Sequence, residues 1–300
     1  MRHVAASSRP FHFYLTAPHS SFADNSSLVA NKFIKAISGL DLEAVKTILR
    51  SDPECLTWQQ SDGKNALHFL CGVPMFRRPA GKVTPAQRTA LSGPVTAATG
   101  SFAGRADSSL NILKHLLASG MDINSVQKIP DKKCGYFPAT PLWCAYTRGR
   151  NEKLYTYLLK GGADPRNCMY AITWYDDTQA AIRLKKFGAF SSEQGTDREK
   201  YFENINGPTG MDSPLLAAFA WKRWNMAEWL LKNGANPDST DERGATALFY
   251  SVRKKYEPSH IRLLLKYGAD PDHRANDGRT PRSIAASYRD KTVLRLFGTR

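Results

Sequence analysis

Short apolar blocks recur along the C-terminal half of the chain at an almost constant spacing. Three of them start 33 and 34 residues apart: Ser213-Pro-Leu-Leu-Ala-Ala, Thr246-Ala-Leu-Phe-Tyr-Ser and Thr280-Pro-Arg-Ser-Ile-Ala. A second set agrees, because Asn233-Gly-Ala-Asn-Pro-Asp and Tyr267-Gly-Ala-Asp-Pro-Asp lie 34 residues apart. Such a period is typical of proteins that stack one small structural unit many times.

Each repeat predicts a helix, a turn, a second helix and a reversing loop. A Ser or Thr followed by Pro favours a helix start, since the hydroxyl caps the first turn and Pro fits into it. A second apolar helix follows, for example from Met226 or from Ser259. Gly234 and Gly268 then occupy the position where a helix ends in a left-handed residue. Because one such unit cannot bury its apolar face alone, we expect the units to stack into a solenoid.

Weaker copies extend the pattern towards the N-terminus. They are Ala139-Thr-Pro-Leu-Trp-Cys-Ala, Gly161-Gly-Ala-Asp-Pro, Asn65-Ala-Leu-His, Ser119-Gly-Met-Asp-Ile-Asn and Ser38-Gly-Leu-Asp-Leu-Glu-Ala-Val-Lys-Thr-Ile-Leu. With these copies the sequence resembles the ankyrin-repeat family, whose repeat is about 33 residues long and has the signature T-P-L-H-x-A. Thr140-Pro141-Leu142 and Thr280-Pro281 match that signature best. The resemblance covers about 28–297 and implies an all-α fold, an ankyrin-repeat solenoid of stacked helix-turn-helix units with hairpin-like loops.

The repeat pattern predicts a flexible N-terminal leader at 1–27 and one ankyrin-repeat domain at 28–300. We expect about seven units, at 28–61, 62–124, 138–166, 167–190, 210–239, 240–273 and 274–300. An insertion at 73–107, rich in Pro and Gly, predicts a long mobile loop that is either neutral or binds a partner. The unit near 167–190 is degenerate, because it lacks the Thr-Pro start, and a long loop at 191–211 follows it. This weak unit is either tolerated drift or a hinge.

The chain is strongly basic, with 42 Lys and Arg against 27 Asp and Glu and a net charge of +15. Nearly half of the excess, +7, lies in residues 251–300. A cationic end attracts acidic proteins, nucleic acids or anionic lipids, and it can also be no more than a solvated face. The longest strictly apolar run, at 215–221, is far shorter than the roughly 20 residues that a membrane-spanning helix needs. No membrane insertion is expected.

The sequence offers no catalytic set, cofactor motif or metal site that we would defend. The five cysteines have no tight Cys/His spacing, so we interpret them as reduced core thiols of an intracellular protein. His68 is the one histidine at the family's signature position, and we interpret it as structural. We therefore expect a chain that is not an enzyme and that has no cofactor.

The resemblance implies that partners bind the concave face, which loop tips and the exposed sides of the first helices form. Carried over by position in each unit, this gives eleven candidate residues: Trp221, Arg243, Arg253, Lys254, Arg274, Arg279, Tyr288, Arg148, Lys132, Lys133 and Tyr136. The set is basic and aromatic, as residues that dominate binding energies often are. For Trp221 the alternative is packing between helices. For Arg253 and Lys254 it is a solvated helix end.

These observations predict a non-catalytic protein–protein interaction module, acting as a scaffold, an inhibitor or an effector, that binds an acidic protein partner. The alternative is a nucleic-acid-associated protein that uses its basic C-terminal repeats. We expect a monomer inside the cell, most simply in the cytoplasm. The leader 1–27 leaves open an exported effector or an organelle-targeted protein, since it is basic, rich in Ser and lacks the apolar core of a secretory signal.

Overall fold

The structure is a computed structural model that describes residues 25–75, 101–131, 135–165, 168–187 and 213–298. Within these ranges the chain forms fourteen α-helices, a short 3-10 turn at Pro53–Leu56, a π-helical turn at Ala145–Gly149 and one two-stranded sheet. The helices are α1 Asn25–Gly39, α2 Leu42–Ser51, α3 Ala66–Cys71, α4 Ser101–Ala118, α5 Pro141–Cys144, α6 Glu152–Lys160, α7 Met169–Trp174, α8 Thr178–Lys186, α9 Pro214–Ala220, α10 Trp224–Lys232, α11 Ala247–Arg253, α12 Pro258–Lys266, α13 Pro281–Ser287 and α14 Lys291–Leu296. The strands are β1 Gln127–Asp131 and β2 Gly135–Ala139, and they run antiparallel.

The fourteen helices form seven consecutive pairs, and we call each pair a unit. First helices contact one another in two series, α1–α3–α5 and α7–α9–α11–α13. Second helices do the same in the series α2–α4–α6, α8–α10 and α12–α14. One continuous apolar core runs through the described residues from Phe33 to Val293. The fold is therefore the expected all-α ankyrin-repeat solenoid.

The helix starts follow from the hydroxyl residues that precede them, as the sequence predicts. Thr140, Ser213, Thr246 and Thr280 each accept a hydrogen bond from the third residue of the helix that follows, at 3.0–3.2 Å. Each of these bonds satisfies one N–H group that the first helical turn leaves without a partner. The predicted caps are confirmed at all four first helices.

The helix ends at the reversing loops also match the prediction. Gly234 and Gly268 have φ of 89° and 88°, in the left-handed region that favours glycine. In the turns between the two helices of a unit, by contrast, the left-handed residues are not glycine. Basic side chains stand there in four units, at Arg150, Lys222, Lys255 and Arg289, with φ between 52° and 56°.

Helix α4 begins earlier than the sequence suggests. The predicted mobile loop at 73–107 is wrong for residues 101–107, which are helical, and residues 76–100 lie outside the described residues. Tertiary contacts begin at the end of this part of the helix: Asp107 pairs with Lys153 of α6, and Ser109, two residues further on, accepts from Asn151 at 3.3 Å. The local signal for a helix is weak here, because the segment contains Gly104 and glycine has a low helix propensity.

Two further predicted segments lie largely or wholly outside the described residues. The leader 1–27 lies outside the described residues as far as residue 24, and its last three residues begin α1. The loop 191–211 lies wholly outside them. The degenerate unit nevertheless contains two helices, α7 and α8, although Cys168 makes no side-chain cap at the start of α7. Met169 and Ile172 of α7 are fully buried and anchor that helix in the core.

Candidate functional site

Eight of the eleven predicted binding residues lie at the two ends of the first helices. Arg243, Arg274 and Arg279 stand in the loops that precede α11 and α13, and we call these loops, 240–246 and 274–280, the finger loops. The opposite ends of the first helices carry the residues Arg148, Trp221, Arg253, Lys254 and Tyr288. Tyr136 lies in β2, and Lys132 and Lys133 lie outside the described residues.

The two finger loops are bonded to each other through their backbones. Asn276 donates its backbone N–H to the carbonyl oxygen of Arg243 at 2.9 Å, and its side-chain amide donates to the carbonyl oxygen of Glu242 at 3.1 Å. Gly244, with φ of 67°, permits this approach, because a Cβ there would stand 2.5 Å from the Asn276 side chain. The exposed Arg243 side chain thus projects from a loop of fixed geometry.

Arg279 is paired within its own loop. Its guanidinium donates to Oδ2 of Asp277 at 2.5 and 2.8 Å, and it also lies 5.7 Å from the ring centre of Phe249. These bonds with Arg279 lower the pKa of the Asp277 carboxyl group, and Arg253 lowers it further. The positive charge of Arg279 is therefore largely offset before any partner arrives.

Tyr250 of α11 contacts both a finger loop and the opposite end of its helix. Its hydroxyl donates to Oδ2 of Asp241 at 2.5 Å, and burial together with this carboxylate raises the pKa of Tyr250 to about 12. The ammonium of Lys254 lies 5.5 Å from the centre of its ring. Burial lowers the pKa of Lys254, and the neighbouring cations Arg253 and Lys222 lower it further. Like charges thus crowd at the C-terminal end of α11.

Charge is distributed unevenly between the two ends of units five to seven. The finger loops 240–246 and 274–280 hold three basic and three acidic residues. The opposite turns, 220–224, 253–257 and 287–291, hold seven basic and two acidic residues. The basic excess of the C-terminal units therefore lies at the turns between their helices, and the fingers are close to neutral.

Trp221 packs between units, which was the alternative interpretation of this residue. It meets Tyr170 and Trp174 of α7 edge to face, with ring centres 4.9 and 4.7 Å apart. The three rings are half-buried, and the guanidinium of Arg223 lies 5.6 Å from the ring centre of Trp174. Part of each ring remains accessible, so the cluster is a partly exposed aromatic patch on α7 and α9.

Arg148 and Tyr136 belong to a separate region around the hairpin. Arg148 donates to the side-chain oxygen of Gln127 at 3.2 Å, and Gln127 donates in turn to Asp62 at 2.7 Å. Tyr136 is 46% exposed, and the ammonium of Lys128 lies 5.3 Å from its ring centre. Arg148 therefore links the hairpin to units two and three. Neither residue is in contact with the cations of α11.

The structure also shows a row of residues that the sequence prediction omitted. Lys222, Lys255 and Arg289 are exposed, and each occupies the left-handed position directly after the C-cap of a first helix. The signal was available in the sequence, because a basic residue recurs there at intervals of 33 and 34 residues. The repeat pattern alone does not show that these side chains are exposed, because their exposure depends on the geometry of the turns.

The described residues offer little chemistry beyond binding. No group of three or more His, Cys, Asp or Glu residues in these ranges is arranged to hold a metal ion. Burial raises the pKa of the Cys71, Cys144 and Cys168 thiols, which disfavours the reactive thiolate. Among the helices described, none is long and apolar enough to cross a membrane.

Comparisons with known proteins support the same fold. Residues 215–298 match the family model described as ankyrin repeats (3 copies). Among solved structures, the chain is similar to the crystal structure of the human ASB11 ankyrin repeat domain. The identity is 19% and the TM-score 0.54, over 89% of this chain and 98% of that one. No curated protein matches the sequence.

Proposed function

Since this chain is an ankyrin-repeat protein, we propose that it is a non-catalytic interaction module that binds an acidic segment of a partner protein. Ankyrin repeats are generally protein–protein interaction modules and are typically non-catalytic. The observation that carries the finer proposal is the crowding of Arg253 and Lys254 beside Tyr250, with no ion pair to a carboxylate among the described residues. A partner carboxylate would relieve the repulsion between these cations.

The binding surface that we propose is the exposed side of α9, α11 and α13 together with the finger loops. Arg253 and Lys254 supply charge that no carboxylate of the described residues neutralises, while Tyr250 and the Trp221 cluster supply aromatic surface. Trp, Tyr and Arg are enriched among the residues that dominate binding energies at protein interfaces. Arg243 and Arg274 are exposed and extend the surface, whereas Arg279 contributes less because Asp277 already neutralises it.

The cellular setting is part of the proposal. The four cysteines in the described residues are buried and unpaired, which is typical of a reducing compartment. We therefore propose that the protein acts inside the cell. As a separate expectation, it acts as a monomer. Size-exclusion chromatography with light scattering tests the monomer, and a mass near 33.4 kDa is expected.

The test uses the full chain and a labelled poly-glutamate peptide as the acidic probe. Arg253→Gln with Lys254→Gln should weaken binding by about fivefold or more, since each exposed ion pair is worth up to about 1 kcal/mol. The matched control is Arg262→Gln with Lys266→Gln, which removes two exposed charges from α12 and should leave affinity unchanged. Equal losses in both variants would mean that only bulk charge matters.

The nucleic-acid alternative is tested in the same assay. Single-stranded and duplex DNA of equal charge replace the peptide, and the salt concentration is raised to a physiological level. Nucleic-acid binding that rests on bulk charge falls steeply over that range. Tight DNA binding at physiological salt, together with no peptide binding, would contradict the protein-partner proposal.

A further inference from the structure

The left-handed turn residues form a ladder of cations along one edge of the repeat stack. Arg150, Lys222, Lys255 and Arg289 occupy the same position in units three, five, six and seven. In unit four the position holds Asp176, whose carboxylate bonds the next unit. The ladder is thus unbroken over units five to seven, and we call Lys222, Lys255 and Arg289 the turn-edge ladder.

An aromatic ring of the following unit supports the cation in three of the four units. The guanidinium of Arg150 lies 4.5 Å from the ring centre of Tyr175. The ammonium of Lys222 lies 5.6 Å from that of Tyr256, and the ammonium of Lys255 lies 5.1 Å from that of Tyr288. A ring face attracts a cation without neutralising its charge. These side chains are therefore positioned by the next repeat while their charge stays available.

No carboxylate offsets the ladder within the described residues. Lys222, Lys255 and Arg289 make no ion pair there. Glu257 is exposed nearby, and Asp290 is engaged as the cap of α14, where it accepts from Val293 at 3.0 Å. The turns 220–224, 253–257 and 287–291 keep an excess of five positive charges, seven basic residues against two acidic ones.

The backbone makes these positions unusual places for Lys and Arg. A residue other than glycine pays roughly 1–2 kcal/mol to adopt the left-handed conformation, which glycine adopts freely. Three consecutive units nevertheless carry a basic side chain there, at φ of 53–56°. Folding alone therefore favours glycine at all three positions.

We propose that the turn-edge ladder binds an extended acidic peptide whose carboxylates recur at every third residue. Packed helices lie about 8–10 Å apart, so equivalent side chains of neighbouring units are separated by about that distance. Three residues of an extended chain span about 10 Å. One carboxylate per three residues thus meets one cation per unit. This inference rests on the proposed function. It extends the proposed surface to the turns 220–224, 253–257 and 287–291, and it specifies the conformation and charge spacing of the acidic segment.

The aromatic rings of this edge favour a peptide over single-stranded nucleic acid. Single-strand binding relies on aromatic faces on which bases can stack. Here a lysine lies over Tyr256 and another over Tyr288, and the face of Trp224 is stacked on His260 at 3.6 Å between ring centres. The rings are thus already covered within the protein, whereas the cations that cover them have no carboxylate partner among the described residues.

The experiment compares two labelled twelve-residue peptides that have the same composition. One repeats Glu-Gly-Ser four times, and the other places its four Glu residues in a row. The full-length protein should bind the spaced peptide more tightly. Lys222→Gly, Lys255→Gly and Arg289→Gly together should weaken that binding about fivefold to tenfold and remove the difference between the peptides.

The glycine variant suits the backbone of these turns, and a second variant checks that folding does not decide the result. Lys222→Gln, Lys255→Gln and Arg289→Gln keep long side chains and should give the same loss of binding. The control variant changes three exposed charges on the second helices of units six and seven, Arg262→Gln, Lys266→Gln and Arg295→Gln, and should bind as the native protein does.

Each outcome separates this inference from the proposed function. Unchanged binding by both turn-edge variants, with a loss in the Arg253 and Lys254 variant, overturns the ladder and leaves the proposed function standing. No binding of either peptide to the native protein overturns both. Tighter binding of a single-stranded DNA of equal charge that is lost in the turn-edge variants overturns the choice of a peptide.

Discussion

Acid should destabilise the protein through His68, a fully buried residue of α3. Nε2 of its ring lies 3.1 Å from the carbonyl oxygen of Ala139, so the histidine joins unit two to the hairpin before unit three. The backbone N–H of Asn65 donates to Nδ1 at 3.3 Å. The neutral ring with its proton on Nε2 satisfies both contacts, and protonation would place a charge in the core.

The size of the effect follows from the pKa. Burial lowers the pKa of His68 from 6.5 to about 4, so between these values the unfolded chain binds a proton that the folded chain does not. Stability from this group is complete above pH 6.5 and falls as the pH drops towards 4. At about 1.4 kcal/mol per pH unit, acidification from pH 7 to pH 4 should remove about 3 kcal/mol.

Urea unfolding between pH 7 and pH 4, followed by circular dichroism, measures this loss. His68→Gln is the reference, because glutamine stays neutral and can donate to Ala139. The native protein should lose about 3 kcal/mol more than this variant over the range. One contact opposes the prediction: Nδ1 also lies 2.7 Å from Oδ1 of Asn65, to which a protonated ring could donate. Equal pH slopes in the two proteins would show that this bond compensates for burial and would refute the reasoning.

Three further predictions concern the stability of the units. Gly149→Ala should cost about 3 kcal/mol or more in urea unfolding, because its Cβ would collide with the backbone carbonyl of Cys71. Thr246→Ala should cost about 1 kcal/mol through the lost cap, and Thr246→Ser should restore most of it. Tyr250→Phe should cost about 1 kcal/mol by removing the bond to Asp241, and an unchanged midpoint would mean that water replaces this bond.

The repeat pattern predicted the fold well because local chemistry determines each helix start and end. Hydroxyl caps such as Thr246 and left-handed glycines such as Gly234 act through their immediate neighbours, so the sequence displays them directly. The prediction of a mobile loop failed at 101–107, where distant contacts are involved and not local chemistry. That segment continues into a helix whose Asp107 pairs with Lys153 of α6 and whose Ser109 accepts from Asn151, and contacts over more than forty residues leave no local signal.

The hairpin at 127–139 escaped prediction for a related reason. Pro130 and Pro138 argue against a strand, yet each sits in a two-stranded sheet, where both strands are edges and the missing N–H is tolerated. The backbone N–H of Lys128 donates to the carbonyl oxygen of Asp62 at 2.7 Å, and this contact fixes the position of the hairpin. Its distant partner is again invisible in the local pattern.

The candidate site was predictable as a set of residue types and only in part as a surface. Position in the repeat correctly placed Arg243 in a finger loop and Arg253 at a helix end. It could not show that Asp277 neutralises Arg279 or that Trp221 packs on α7, since both depend on side-chain geometry. The net charge showed that the C-terminal units are basic. It did not show at which end of the helices the basic residues lie.

Helix dipoles do not explain why that charge lies at the turns. Cations are stabilised near helix C-termini, and α9, α11 and α13 end at the turn edge. The N-termini of α10, α12 and α14 begin at the same edge, however, and they favour anions there. The opposed dipoles largely cancel, and the N-cap of α10 is Arg223, a cation whose Nε is buried without a hydrogen-bond partner in the described residues. Neither the dipoles nor the left-handed backbone favours Lys and Arg at these turns, and the binding of an anionic segment that we propose supplies a reason that these two effects do not.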